Sequence, residues 1–107
     1  MKAYFVEVGI LLPKDNAEYD AYSQVYDKAH GFYDENQFYR ATLEEAEDYA
    51  KEYVEIGNDT TYGIVSESEV PDDFNFDEAE IEELYDMESV VYSVAKIDNK
   101  VTENFLQ

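Results

Sequence analysis

The stretch Thr42-Leu-Glu-Glu-Ala-Glu-Asp-Tyr-Ala-Lys-Glu-Tyr-Val-Glu-Ile-Gly57, TLEEAEDYAKEYVEIG, decides how the rest of the chain is read. Thr42 and Glu45 have the spacing of a capping box, in which the hydroxyl accepts from the amide three residues on and the Glu side chain reaches back. From there Leu43, Ala46, Tyr49, Ala50, Tyr53 and Val54 fall on one stripe at helical spacing, with Glu44, Glu47, Asp48, Lys51 and Glu55 away from it. A helix over 43–56 follows, closed by Gly57 in a left-handed conformation. Its single apolar stripe needs a surface to cover, and the flanking sequence supplies one.

On the N-terminal side, residues 3–12 alternate around Tyr4, Val6, Val8 and Ile10 with Phe5 and Leu11 on the other face, the pattern of a strand covered on both sides. Pro13-Lys-Asp-Asn16 ends it. Residues 18–27 read two ways: Tyr19, Tyr22 and Tyr26 have helical spacing, while the density of Tyr and Val favours a strand. The expectation is a strand antiparallel to the first, with Lys28-Ala-His-Gly31 turning after it. On the C-terminal side, 60–66 and 90–97 are strand-like, and Asp98-Asn99 is a two-residue hairpin turn into 100–105. The closely spaced strand, helix and strand suggest a right-handed crossover if the two strands are parallel. The sum is a single α+β domain over 1–107: a sheet of about four to five strands, helix 43–56 on one face, and a short acidic helix or loop near 76–87.

Composition agrees with a folded domain. Of 107 residues, 45% are apolar and 16% aromatic, including eleven Tyr and six Phe, which a disordered acidic tail would lack. No cysteine is present, which removes disulfides, thiolate metal sites and cysteine nucleophiles. Glu7 interrupts the apolar N-terminal run with no cleavage site after it, and no window approaches the roughly 18 apolar residues of a membrane span. The expected location is cytoplasmic.

Charge is the dominant fact, with 27 acidic against 7 basic residues and a formal net charge of −20. Such a surface repels DNA, RNA and anionic lipid, so no direct nucleic-acid or membrane contact is expected and a macromolecular partner would be basic. Over a surface of about 6,100 Å² the net charge averages one per ~300 Å². That is about one third of the density on duplex DNA taken as a cylinder ~20 Å across. Imitation of DNA therefore requires clustering, and the sequence provides it along the chain: no Lys or Arg lies between Lys51 and Lys96, while fourteen carboxylates do. The expected partner-binding set is Glu67, Glu69, Asp72, Asp73, Asp77, Glu78, Glu80, Glu82, Glu83, Asp86 and Glu88. If Asn75 caps a short helix, Ile81, Leu84 and Tyr85 dock it and Glu82, Glu83 and Asp86 point outward. Like charges three and four apart oppose that helix by roughly 0.2–0.5 kcal/mol each.

Other chemistry finds little support. Asp73, Asn75 and Asp77 stand at the first, third and fifth positions of an EF-hand loop, but Glu78 replaces the required glycine and Leu84 the bidentate Glu. One histidine and no cysteine leave no zinc set. His30, between Asp27 and Asp34, is favoured as imidazolium, a poor general base, and reads as a surface turn residue. Scattered Gly9, Gly31, Gly57 and Gly63 make no phosphate loop. The tyrosines read as half-buried packing residues with wet hydroxyls. No catalytic residue, cofactor or metal is expected.

In small size, extreme acidity and lack of cysteine the chain resembles the DNA-mimic inhibitors of restriction or CRISPR systems made by phages and mobile elements. The resemblance is one of composition, carried by no motif and implying no residue roles. It implies a non-enzymatic protein that occupies a basic, nucleic-acid-binding partner. The other reading is a small structural or accessory domain whose acidity serves solubility and whose sheet edge pairs with itself.

Overall fold

A computed structural model of the chain describes residues 1–13, 29–76 and 87–106. It is an α+β fold in which five strands form one antiparallel sheet and a single helix lies on it. The strands are β1 (Lys2–Pro13), β2 (Ala29–Arg40), β3 (Thr61–Glu69), β4 (Met87–Ile97) and β5 (Lys100–Phe105); helix α1 (Leu43–Ile56) lies between β2 and β3. Spatial order is β2-β1-β3-β4-β5. Because β2 and β3 are both antiparallel to β1, they run the same way, and α1 carries the chain from one to the other across β1. The strand–helix–strand unit thus has parallel strands, with a third strand inserted between them.

The helix begins where its capping box predicts: Thr42 is extended, and its hydroxyl accepts from the Glu45 amide at 3.2 Å. Ala46, Ala50 and Val54 are buried, against Val6, Val8, Val65, Tyr92 and Val94 of the sheet. Contact is close because one sheet position has no side chain. A Cβ on Gly63 would lie 2.8 Å from Ala50 Cβ and 3.3 Å from Ala50 Cα and O. Along β1 the residues alternate as expected. Val6 and Val8 meet the helix, while Ala3, Phe5 and Leu11 are buried on the other face, where Tyr39, Val70, Phe74 and Phe76 pack around Ala3 and Phe5. Phe5, Tyr39, Phe74 and Phe76 form a chain of ring contacts at 4.9–5.1 Å.

Four expectations need correction. Gly57 is extended, with φ −79° and ψ 175°; its N–H closes the helix on Val54 O, and the carbonyls of Glu55 and Gly57 are taken from outside. Lys96 Nζ of β4 donates to Glu55 O at 2.9 Å and Gly57 O at 2.7 Å. Glycine is required at 57 sterically, since a Cβ would stand 2.6 Å from Thr61 Oγ1. The left-handed residue of this connection is Thr60, φ 71°.

Second, Ala29, His30 and Gly31 do not turn. They belong to β2, which continues to Arg40 and pairs with β1 from Tyr4↔Arg40 to Pro13↔Ala29, so His30 is a strand residue. Bulges at His30 and Glu35 absorb the breaks in its pattern. Third, β4 starts at Met87, three residues before the expected 90, through bulges at Val91 and Glu88. Fourth, Tyr39, Tyr62 and Tyr92 are fully buried core residues. The expected strand over 18–27 lies outside the described residues, as does the acidic helix or loop near 76–87 except at its two ends. The hairpin at Asp98-Asn99 has the expected form, with φ of 54° and 64°, the two positive values of a type I′ turn.

Two consequences are measurable by urea unfolding. Gly63→Ala drives a methyl into the helix backbone, and a loss of about 1–3 kcal/mol is expected; an unchanged midpoint would mean that α1 is not seated on β3 as described. Lys96→Met keeps the aliphatic stem but removes the cation and both bonds at the helix end, and is expected to cost about 1–2 kcal/mol.

Candidate functional site

Three described members of the expected acidic set, Glu67, Glu69 and Asp72, are drawn into local pairings. Glu67, on the helix side of β3, receives Lys2 Nζ at 3.2 Å and is largely covered. Glu69 and Asp72 lie 3.5 and 3.2 Å from the Met1 amino group, which also donates to Val70 O at 2.7 Å. The hydrogen bond that the amine donates to Asp72 Oδ1 is the main cause of its raised pKa. Asp73 is exposed in the Pro71–Phe74 turn. Glu88 is the extra residue of a β4 bulge. Asp77, Glu78, Glu80, Glu82, Glu83 and Asp86 lie outside the described residues. The structure thus brings Glu67, Glu69 and Asp72 together around the first two residues.

A second acidic surface, missed when attention rests on 67–88, is the outer side of α1. Glu44, Glu45, Asp48, Glu52 and Glu55 are all exposed there, with neighbours three or four apart about 5–6 Å from one another. Lys51 is the cation among them, and it is shared: Nζ lies 3.9 Å from Glu55 Oε1 and 3.5 Å from Glu103 Oε1 on β5. Glu103 also accepts from the Tyr92 hydroxyl at 2.8 Å. Glu47 borders this group, and its pKa is raised by partial burial and then by the carboxylates of Asp48, Glu103 and Glu44. The helical pattern of the sequence gives this face directly; the addition of Glu103 requires the β4–β5 register, Val94↔Glu103.

Of the other described cations, Arg40, Lys96 and Lys2 are held in local contacts, while Lys100 is exposed at the start of β5. Arg40 stacks its guanidinium 4.2 Å from the Phe38 ring centroid and 5.6 Å from that of Tyr49, and donates to Tyr39 O at 3.0 Å. Lys96 holds the helix end and Lys2 is paired with Glu67. On the β2 side of the helix, Tyr49, Glu52, Tyr53 and the exposed Ile56 line a shallow hollow. There the Tyr53 hydroxyl has its pKa raised by burial, then by the Glu35 carboxylate and Tyr49.

The opposite face of the sheet carries buried polar groups, Glu7, Ser66, Ser68 and Ser93. Asp34, beside the Glu35 bulge, is half-buried. One oxygen accepts from Gln37 Nε2 at 2.7 Å, while Oδ1 is buried without a hydrogen-bond partner among the described residues. Burial raises its pKa against that bond. Among the described residues, no three His, Asp or Glu side chains are grouped to hold a metal ion, and no helix is long and apolar enough to cross a membrane. Comparison with family models, curated proteins and solved structures gives no match.

Asp34 yields a pH test. A carboxyl whose pKa is raised on folding binds its proton more tightly in the folded chain, so stability falls as pH rises from the ordinary carboxyl range through the raised value. At neutral pH ionised Asp34 is therefore a destabilising group. Asp34→Asn is expected to be more stable than the parent at pH 7, with the difference vanishing at acidic pH where Asp34 is protonated. Urea unfolding across that range checks it; a difference independent of pH would refute the cause given.

Proposed function

We infer that this chain is a non-enzymatic acidic binding protein that occupies a basic, nucleic-acid-binding surface of a partner protein in the cytoplasm. The observation that carries the reading is the outer side of α1, where five exposed carboxylates stand against one lysine that is itself engaged. The 67–88 carboxylates add to it. A surface of one sign on a rigid helix raises the rate of encounter with a basic partner and makes it sensitive to salt. Acids three and four apart weaken a helix by a few tenths of a kcal/mol per pair. The chain bears that cost along α1 while placing its described lysines and arginine mainly in structural contacts.

Pull-down from cell lysate should recover basic nucleic-acid-binding proteins at low salt and release them at high salt. The double variant Asp48→Lys/Glu52→Lys retains helix-forming residues and is expected to keep its circular dichroism spectrum while losing recovery by roughly tenfold or more. Reversal at Glu82, Glu83 and Asp86 measures the share of the second acidic region. Capture indifferent to salt and to both sets of reversals would overturn the reading.

A further inference from the structure

β5 is an edge strand of the described sheet, paired with β4 alone. The two-residue turn at Asp98-Asn99 makes Ile97 and Lys100 a hydrogen-bonded pair. By alternation, Lys100, Thr102 and Asn104 direct their backbone groups to β4, while Val101, Glu103 and Phe105 direct theirs outward. The same three residues share the helix side of the sheet, since their β4 partners are Lys96, Val94 and Tyr92. Along this edge an apolar residue, an acid and an apolar residue repeat at the period of a strand. Phe105 is 65% exposed although its ring lies 5.2 Å from Tyr92, and Val101 is 39% exposed. The edge is six residues long, and an open edge bearing exposed apolar side chains is one that proteins usually blunt.

We propose that the outer edge of β5 receives an extended segment of the basic partner, added as a sixth strand, whose basic side chains meet Glu103 and the α1 carboxylates while its apolar ones cover Val101 and Phe105. This rests on the reading of the chain as an acidic binding protein and adds the place and form of docking. Charge complementarity selects this occupant. Glu103 stands beside the α1 carboxylates on the helix side of the edge, since Lys51 Nζ lies 3.5 Å from Glu103 Oε1 and 3.9 Å from Glu55 Oε1. A second copy would bring its own Glu103 and α1 carboxylates against them, with Lys51 and Lys100 the cations beside the edge, each from a chain of net charge −20. Main-chain bonds would give affinity and alternate side chains selectivity, as in strand addition generally.

The test is amide hydrogen exchange on the full chain with two synthetic seven-residue peptides of identical composition, one alternating valine and lysine and one with its lysines contiguous. At saturation the alternating peptide is expected to slow exchange at Val101, Glu103 and Phe105 by roughly tenfold or more, and the contiguous one to leave them unchanged. Glu103→Pro removes an outward donor without touching the β4 ladder and should abolish this protection. Phe105→Ser leaves the backbone intact and should weaken binding of the alternating peptide roughly tenfold. Binding of both peptides without protection on β5 overturns the docking mode and leaves the acidic-binder reading standing. Absence of salt-dependent binding to either peptide overturns both. Protection of the same amides that grows with protein concentration alone would assign the edge to a second copy.

Discussion

The near-contact of Gly63 with Ala50 is the constraint on which the architecture depends. At this point backbone approaches backbone, and the small helix residues Ala46 and Ala50 let α1 lie close over β1 and β3. That closeness makes the sheet's upper core shallow enough to be filled by valines from Val6, Val8, Val65 and Val94, with Tyr92 reaching under the helix from β4. It also brings the end of α1 near enough to β4 for one lysine to satisfy two terminal carbonyls. Larger residues at 50 or 63 would lift the helix, expose the valines and pull Lys96 away from its acceptors.

A protein with this excess of acid has to keep its charges from opposing the fold. The described carboxylates are mostly at positions where water screens them, and exposed like charges cost little individually. Three of the described cations each touch two groups: Lys51 between two acids, Lys96 between two carbonyls, Arg40 over two rings. Internal use of cations has an external result. The long-range field of the molecule is set by groups that the fold does not need, so it can be strongly negative without a matching loss in stability.

Elements specified by neighbouring residues were legible in the sequence, and elements specified from a distance were not. Helix α1 carries its cap and stripe within its own residues, and the Asp98-Asn99 turn sits between two alternating segments. β2 carries Asp34-Glu-Asn-Gln37 in its middle and glycine near its start. It is a strand because ten residues of β1, Tyr4 to Pro13, pair with it and bulges accommodate the misfit. Gly57 was correctly placed at the helix end but not correctly shaped, because Lys96, thirty-nine residues away, determines which carbonyls remain to be capped. The same distinction holds for the surface. The acids of α1 share a face by helical spacing alone, whereas Glu103 joins them through strand register, and the partnering of Glu67, Glu69 and Asp72 near Met1 follows from β1 lying beside β3.

The insertion of β1 between β2 and β3 also orders events in time. Its pairing with β3 joins residues as far apart as Lys2 and Glu69, whereas β4 and β5 meet across two residues. Hairpins of that kind close in about 1–10 μs, while domains dominated by distant pairings fold in milliseconds to seconds. The β4–β5 hairpin is therefore able to form long before the central strand is enclosed. Loop closure costs least at the β4–β5 hairpin and more at the pairing of β1 with β3, which spans β2 and α1 in the chain.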